Sequence, residues 1–73
     1  IRVNAVAPTV TMTELAADAW SDPAKKNPMM ARHPIGRFAD VEDVATAIVM
    51  LLSSDASMVT GTILPIDGGF LAV

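Results

Sequence analysis

Three threonines at alternate positions, Thr9, Thr11 and Thr13, follow Pro8 and are interleaved with Val10 and Met12. That β-branched and polar stretch reads as a loop leaving the C-terminal end of the strand before it. Other groups able to do chemistry are few: the 73 residues hold one histidine, His33, and neither cysteine nor tyrosine. One imidazole and a set of carboxylates make a poor metal site, so no metal is expected. Serine, histidine and aspartate all occur, but no G-x-S-x-G elbow accompanies them, and a hydrolase triad is not supported. No residue of the chain is assigned a catalytic role, and His33 is expected in a solvated loop.

Trp20 is the single tryptophan, and a lone large aromatic reads by type as an anchor for its own segment. Met29 and Met30 are gap-filling hydrophobes by type, able to line a pliable pocket mouth. Arg37 is expected to hold loop carbonyls or the helical segment before it. Asp67-Gly68-Gly69 reads as a turn whose glycines supply positive φ.

The elements that must position these groups follow from periodicity. Ile1, Val3 and Ala5 alternate with Arg2 and Asn4, then Val6 and Ala7 continue the apolar run to Pro8, which predicts a strand entering a buried sheet. That run starts in mid-pattern without an initiating methionine, so the chain reads as part of a longer polypeptide. A short helix is expected over Glu14–Trp20 and a second over about Ala24–Arg32, with Asp22 as its cap and Pro23 in its first turn. Pro28 is a difficulty inside that second helix. Residues 14–32 thus have the profile of a lid carried on short helical pieces.

Asp40 caps the best-defined element, a helix over 41–53, with Asp43 at its third position in a capping-box arrangement. Val41, Val44, Ala45, Ile48, Leu51 and Leu52 recur at helical spacing, and Ala47, Val49 and Met50 fill the other faces. A helix apolar all round is expected to be buried all round. Thr62–Ile66 reads as a strand, placed at an edge because Pro65 cannot donate to a ladder. Strand, crossover helix and returning strand suit a parallel α/β sheet.

Hydrophobic residues make up 52% of the chain, more than so short a chain can bury, so partner surface is expected from the same polypeptide or from other subunits. The net charge of −3 and the scattering of five Lys and Arg over positions 2, 25, 26, 32 and 37 argue against a nucleic-acid surface. No apolar run approaches the roughly 18 residues of a membrane span. Absence of cysteine fits a reducing, cytoplasmic setting.

Taken in order, Asn4-Ala5-Val6-Ala7-Pro8 with Thr13, Pro34-Ile35-Gly36-Arg37, Val41-Glu42-Asp43-Val44-Ala45, Ser54-Asp55, Thr60-Gly61 and Asp67-Gly68-Gly69 resemble the C-terminal third of a short-chain dehydrogenase/reductase. Pro8-Thr9-Val10-Thr11-Met12-Thr13, Trp20-Ser21-Asp22-Pro23 and Leu64-Pro65 with Gly68-Gly69-Phe70 resemble its dicarbonyl/L-xylulose (carbonyl) reductase branch. Thr9, where most of the family has glycine, is shared with that branch. The resemblance implies the C-terminal portion of a Rossmann-type doubly wound parallel sheet. It implies NADP as cofactor, held at its nicotinamide end by Pro8, Thr9, Val10, Thr11, Met12 and Thr13. A backbone N–H at Thr11 and the hydroxyl of Thr13 would meet the carboxamide. It also implies a small carbonyl substrate, Trp20 in its pocket, a Ser-Tyr-Lys set upstream of Ile1, and a homotetramer formed through helix 41–53 and strand 62–66.

Overall fold

The computed structural model describes residues 1–73. Strand β1 (Ala5–Pro8) leads through a loop into helix α1 (Glu14–Ala19) and helix α2 (Pro23–Ala31). Helix α3 (Val41–Leu52) follows, and then strand β2 (Ile63–Ile66), with short 3₁₀ turns at Ser54–Ala56 and Phe70–Ala72. The two strands pair in parallel, Ala5 opposite Ile63 and Pro8 opposite Ile66. Thr62 and Ile66 carbonyls accept from the Ala5 and Thr9 amides at 3.0 and 3.1 Å, so the even-numbered residues of β2 bond to β1. Pro65 therefore turns its missing donor to the far side of β2, where no ladder bond is lost.

The regular part of β1 is shorter than the alternation predicts. Its partner sets the limit: Gly61, at φ +72°, turns the chain just ahead of β2, and residues 1–4 are held by the Gly61 amide on the Val3 carbonyl at 2.8 Å and otherwise by side chains. The Asn4 amide donates to the Val59 carbonyl at 3.0 Å and accepts from the Thr62 amide at 3.1 Å. The Arg2 guanidinium donates to the carbonyls of Leu51, Val59 and Ser53, covering acceptors at the end of α3 that the helix itself leaves free.

Thr13 caps α1, its Oγ1 accepting from the Ala16 amide at 3.1 Å, and Asp22 caps α2 through the Ala24 amide at 3.0 Å. Pro28 is accommodated inside α2, which runs on to Ala31. At the start of α3, the Asp40 amide donates to Asp43 Oδ2 at 2.8 Å, the N3-to-cap half of a capping box. Burial of α3 departs from expectation. Leu51 alone is buried, with Val44 and Ala47 half-buried on the same face, while Val49, Met50 and Leu52 are exposed. Within these residues the sheet has two strands and covers one face of the helix; the all-round burial inferred from composition needs more surface than the chain supplies.

Candidate functional site

The threonine loop leaves the C-terminal end of β1 and is fastened along its length. Thr9 donates its amide to Ile66 O at 3.1 Å. Thr11 pairs with Ala39 in a parallel bridge, the Ala39 amide donating to Val10 O at 3.0 Å and the Met12 amide to Ala39 O at 2.8 Å. Ala39, which braces the loop, and its neighbour Phe38 are both buried. The Thr11 hydroxyl donates to Thr9 O at 2.9 Å. Thr9 through Met12 are half-buried and Thr13 is exposed. The six residues from Pro8 to Thr13 thus form one ordered edge at the strand end.

Three donors on this edge are left over, one of them the Val10 amide, which has no acceptor within the chain. The Thr11 amide takes no acceptor within the chain. Thr13 Oγ1 uses a lone pair to cap α1, which leaves its hydroxyl proton to give away. An amide N–H and a hydroxyl two residues apart on a braced loop fit a carboxamide carbonyl and its surroundings, so the geometry is compatible with the nicotinamide end of a dinucleotide. No group of three or more His, Cys, Asp or Glu gathers to hold a metal ion.

Trp20 closes α1 and sets its ring edge-on to Phe38, centroids 5.5 Å apart, with Lys25 Nζ 5.0 Å from its own centroid. An anchoring contact is therefore present, and the ring stays half-exposed. Arg37 donates to the carbonyl of Phe38 at 3.0 Å and to Asp43 Oδ2 at 2.8 Å. The bond from Arg37, and then that from the Asp40 amide, hold the Asp43 carboxyl below its ordinary range, while Asp43 raises the guanidinium. The turn at 67–69 forms as expected: Gly68 and Gly69 have φ of +58° and +92°, and the Asp67 carboxylate accepts from the amides of Gly69 and Leu71.

His33 corrects the sequence reading. It is 2% exposed, the only buried polar side chain, not a solvated loop residue. Its Nε2 lies 2.7 Å from Thr9 Oγ1 and its Nδ1 3.0 Å from the Met29 carbonyl. Its ring packs against Phe38 and Phe70 at 5.5 and 5.1 Å. Nothing local in the sequence marks this, because the partners come from the threonine loop, α2, Phe38 and the C-terminal turn. Arg2 and Asn4 were likewise legible only as the polar half of an alternation.

Residues 1–71 match the family model described as enoyl-(acyl carrier protein) reductase. The chain is 59% identical over 70 residues to an L-xylulose reductase of Caenorhabditis elegans, covering 96% of the chain and 28% of that protein. It is 52% identical over 71 residues to a D-erythrulose reductase of Gallus gallus, covering 97% and 29%. Among solved structures, a putative 2-deoxy-D-gluconate 3-dehydrogenase from Agrobacterium tumefaciens with bound NADP superposes with a TM-score of 0.91 at 41% identity, over 99% of the chain and 29% of that protein. The chain therefore spans under a third of the length of these relatives. Its parallel α/β pairing, matched by Rossmann-fold dehydrogenases, and its identity to these reductases place it in the short-chain dehydrogenase/reductase family.

Proposed function

We propose that the full-length polypeptide carrying this chain is an NADPH-dependent carbonyl reductase acting on α-dicarbonyls and ketoses such as L-xylulose. Similarity to reductases named for ketoses supports the substrate class, and a relative with NADP bound supports the cofactor. The single structural observation that carries the reading is the braced edge from Pro8 to Thr13, where the Thr11 amide and the Thr13 hydroxyl are among the unspent donors.

When bound, the nicotinamide supplies a hydride for the substrate's carbonyl carbon. The residues of this chain bind and orient it. Donors at Thr11 and Thr13 fix the carboxamide, which decides the ring face turned to substrate, and such orientation is a large part of the rate advantage. Trp20, carried on α1 beside the loop, serves as one wall of the substrate pocket, and helices α1 and α2 cover the site as a lid. The proton for the carbonyl oxygen comes from a tyrosine outside these residues, which hold none. In this reading the enzyme is a cytoplasmic homotetramer, and α3 and β2 bury their free faces between subunits.

A second reading, a non-catalytic segment whose work is assembly, has one observation in its favour: α3 exposes Val41, Ile48, Val49, Met50 and Leu52. The two separate on a rate assay. Full-length protein given NADPH and L-xylulose should oxidise the cofactor only when the carbonyl compound is present; a preparation that is folded but silent toward ketoses and dicarbonyls alike favours assembly.

A further inference from the structure

The one buried polar side chain of this molecule joins three segments that are far apart in sequence. The Met29 carbonyl can only accept, so His33 Nδ1, 3.0 Å away, carries a proton. In the neutral ring Nε2 is then an acceptor, and the Thr9 hydroxyl 2.7 Å away is its donor. Thr9 belongs to the loop with the unspent donors, and Met29 to the last turn of α2. Phe70 of the C-terminal turn and Phe38 beside Ala39 enclose the ring, and Arg32 lies over the other side of this cluster, 4.6 Å from the Phe70 centroid. Helices α1 and α2 bury no residue of their own. The segment from Thr13 to Arg32 is thus held at its ends, by the Ala39 bridge at one and by His33 at the other, and between them by the Trp20 ring on Phe38.

We propose that His33 is a positioning residue: through Thr9 it couples the end of the α2 segment to the loop from Thr9 to Thr13 and fixes that loop for the nicotinamide. The cofactor part rests on the function proposed above, whereas the coupling between His33 and the loop does not. Thr9 is held three ways, by its amide to Ile66, by the Thr11 hydroxyl on its carbonyl and by its own hydroxyl to His33. Only the last of these reaches outside the sheet and the loop itself. Removing the imidazole frees the α2 end and leaves a hydroxyl without its acceptor in an enclosed site.

The test is a double-mutant cycle in the full-length protein with His33→Leu, Thr9→Val and the pair, and His33→Gln as the conservative replacement able to accept at one end and donate at the other. Each single change should raise KM for NADPH roughly three- to tenfold, the range of one hydrogen bond, with a smaller change in kcat. The pair should do little more than the worse single change, since both remove one interaction. His33→Gln should recover part of the loss. Amide exchange of Val10 to Thr13, read without cofactor, should quicken in His33→Leu. Additive effects in the cycle, or a lower melting temperature with unchanged KM and unchanged exchange, overturn the proposal. Quickened exchange and a non-additive cycle in thermal stability, in a protein that binds no nicotinamide, would keep the coupling and remove the cofactor reading.

Discussion

Trp20 has an anchoring contact in the structure and a proposed place in the substrate pocket, and different measurements separate the two. Its edge-on contact with Phe38 is worth about 0.5 to 1.5 kcal/mol beyond area burial, and its exposed face is free to meet substrate. Trp20→Ala in the full-length enzyme should therefore lower stability by that order and change relative kcat/KM across dicarbonyls and sugars more than KM for NADPH. A stability loss with selectivity unmoved leaves the anchor alone. Asp43 gives a prediction with a sign. Its carboxyl is held low by Arg37 first and by the Asp40 amide second, so the stabilising bond is complete above the ordinary carboxylate range and is lost as pH falls through the lowered value. An NMR titration should find the Asp43 carboxyl moved up toward the ordinary range in Arg37→Leu; an unmoved titration would separate the pair. Of this residue-level chemistry, the threonine loop, the Asp40 and Asp43 start of α3 and the glycine turn were legible, because each is local in sequence. His33 was not, since what buries it is three-dimensional.

Among the elements, α3 is the one whose sequence says most and whose surroundings are least complete. Its cap, length and apolar content follow from residues 40–52, but the face it turns to the sheet, Val44, Ala47 and Leu51, could not be chosen from a pattern apolar on every side. Ile48, Leu51 and Leu52 line an apolar groove with Val6, beside β1, and Val49 and Met50 stand on outward faces at 66% and 52% exposure. Met50→Lys or Val49→Lys should therefore leave the protomer fold intact and reduce the oligomer, since a lysine buried unpaired in a two-fold contact costs several kcal/mol. Sedimentation velocity of the full-length variants reads this directly. Unchanged oligomers of unchanged stability would mean that α3 meets only its own subunit. Strand β2 was equally readable as a strand, and Pro65 directs its missing donor away from β1. Gly68 and Gly69 could be read as a turn but not for their closeness to Pro34 and Ile35, where a Cβ on Gly68 would come within 2.5 Å of Ile35 Cγ2.

The whole chain has the surface of a molecule that still requires partners. Its accessible area is 5162 Å², against about 4,300 Å² for a folded monomer of this mass. Its radius of gyration is 14.1 Å, against about 11 Å for a compact chain of this length. Only four hydrophobic residues are buried while fourteen large apolar side chains are exposed. These 73 residues alone should melt without cooperativity and bind a hydrophobic dye; a sharp calorimetric transition in the isolated chain would contradict that. Such incompleteness was legible in the composition, but which faces stay bare was not. The most direct test of the account is the NADPH dependence of ketose reduction by the full-length protein, with Thr13, Thr13→Ser and Thr13→Val compared. The wild type should reduce L-xylulose, Thr13→Ser should retain its KM for NADPH, and Thr13→Val should raise that KM by about two- to twelvefold, the equivalent of 0.5 to 1.5 kcal/mol. The same KM in all three, or no ketose-dependent oxidation of NADPH by the wild type, would contradict it.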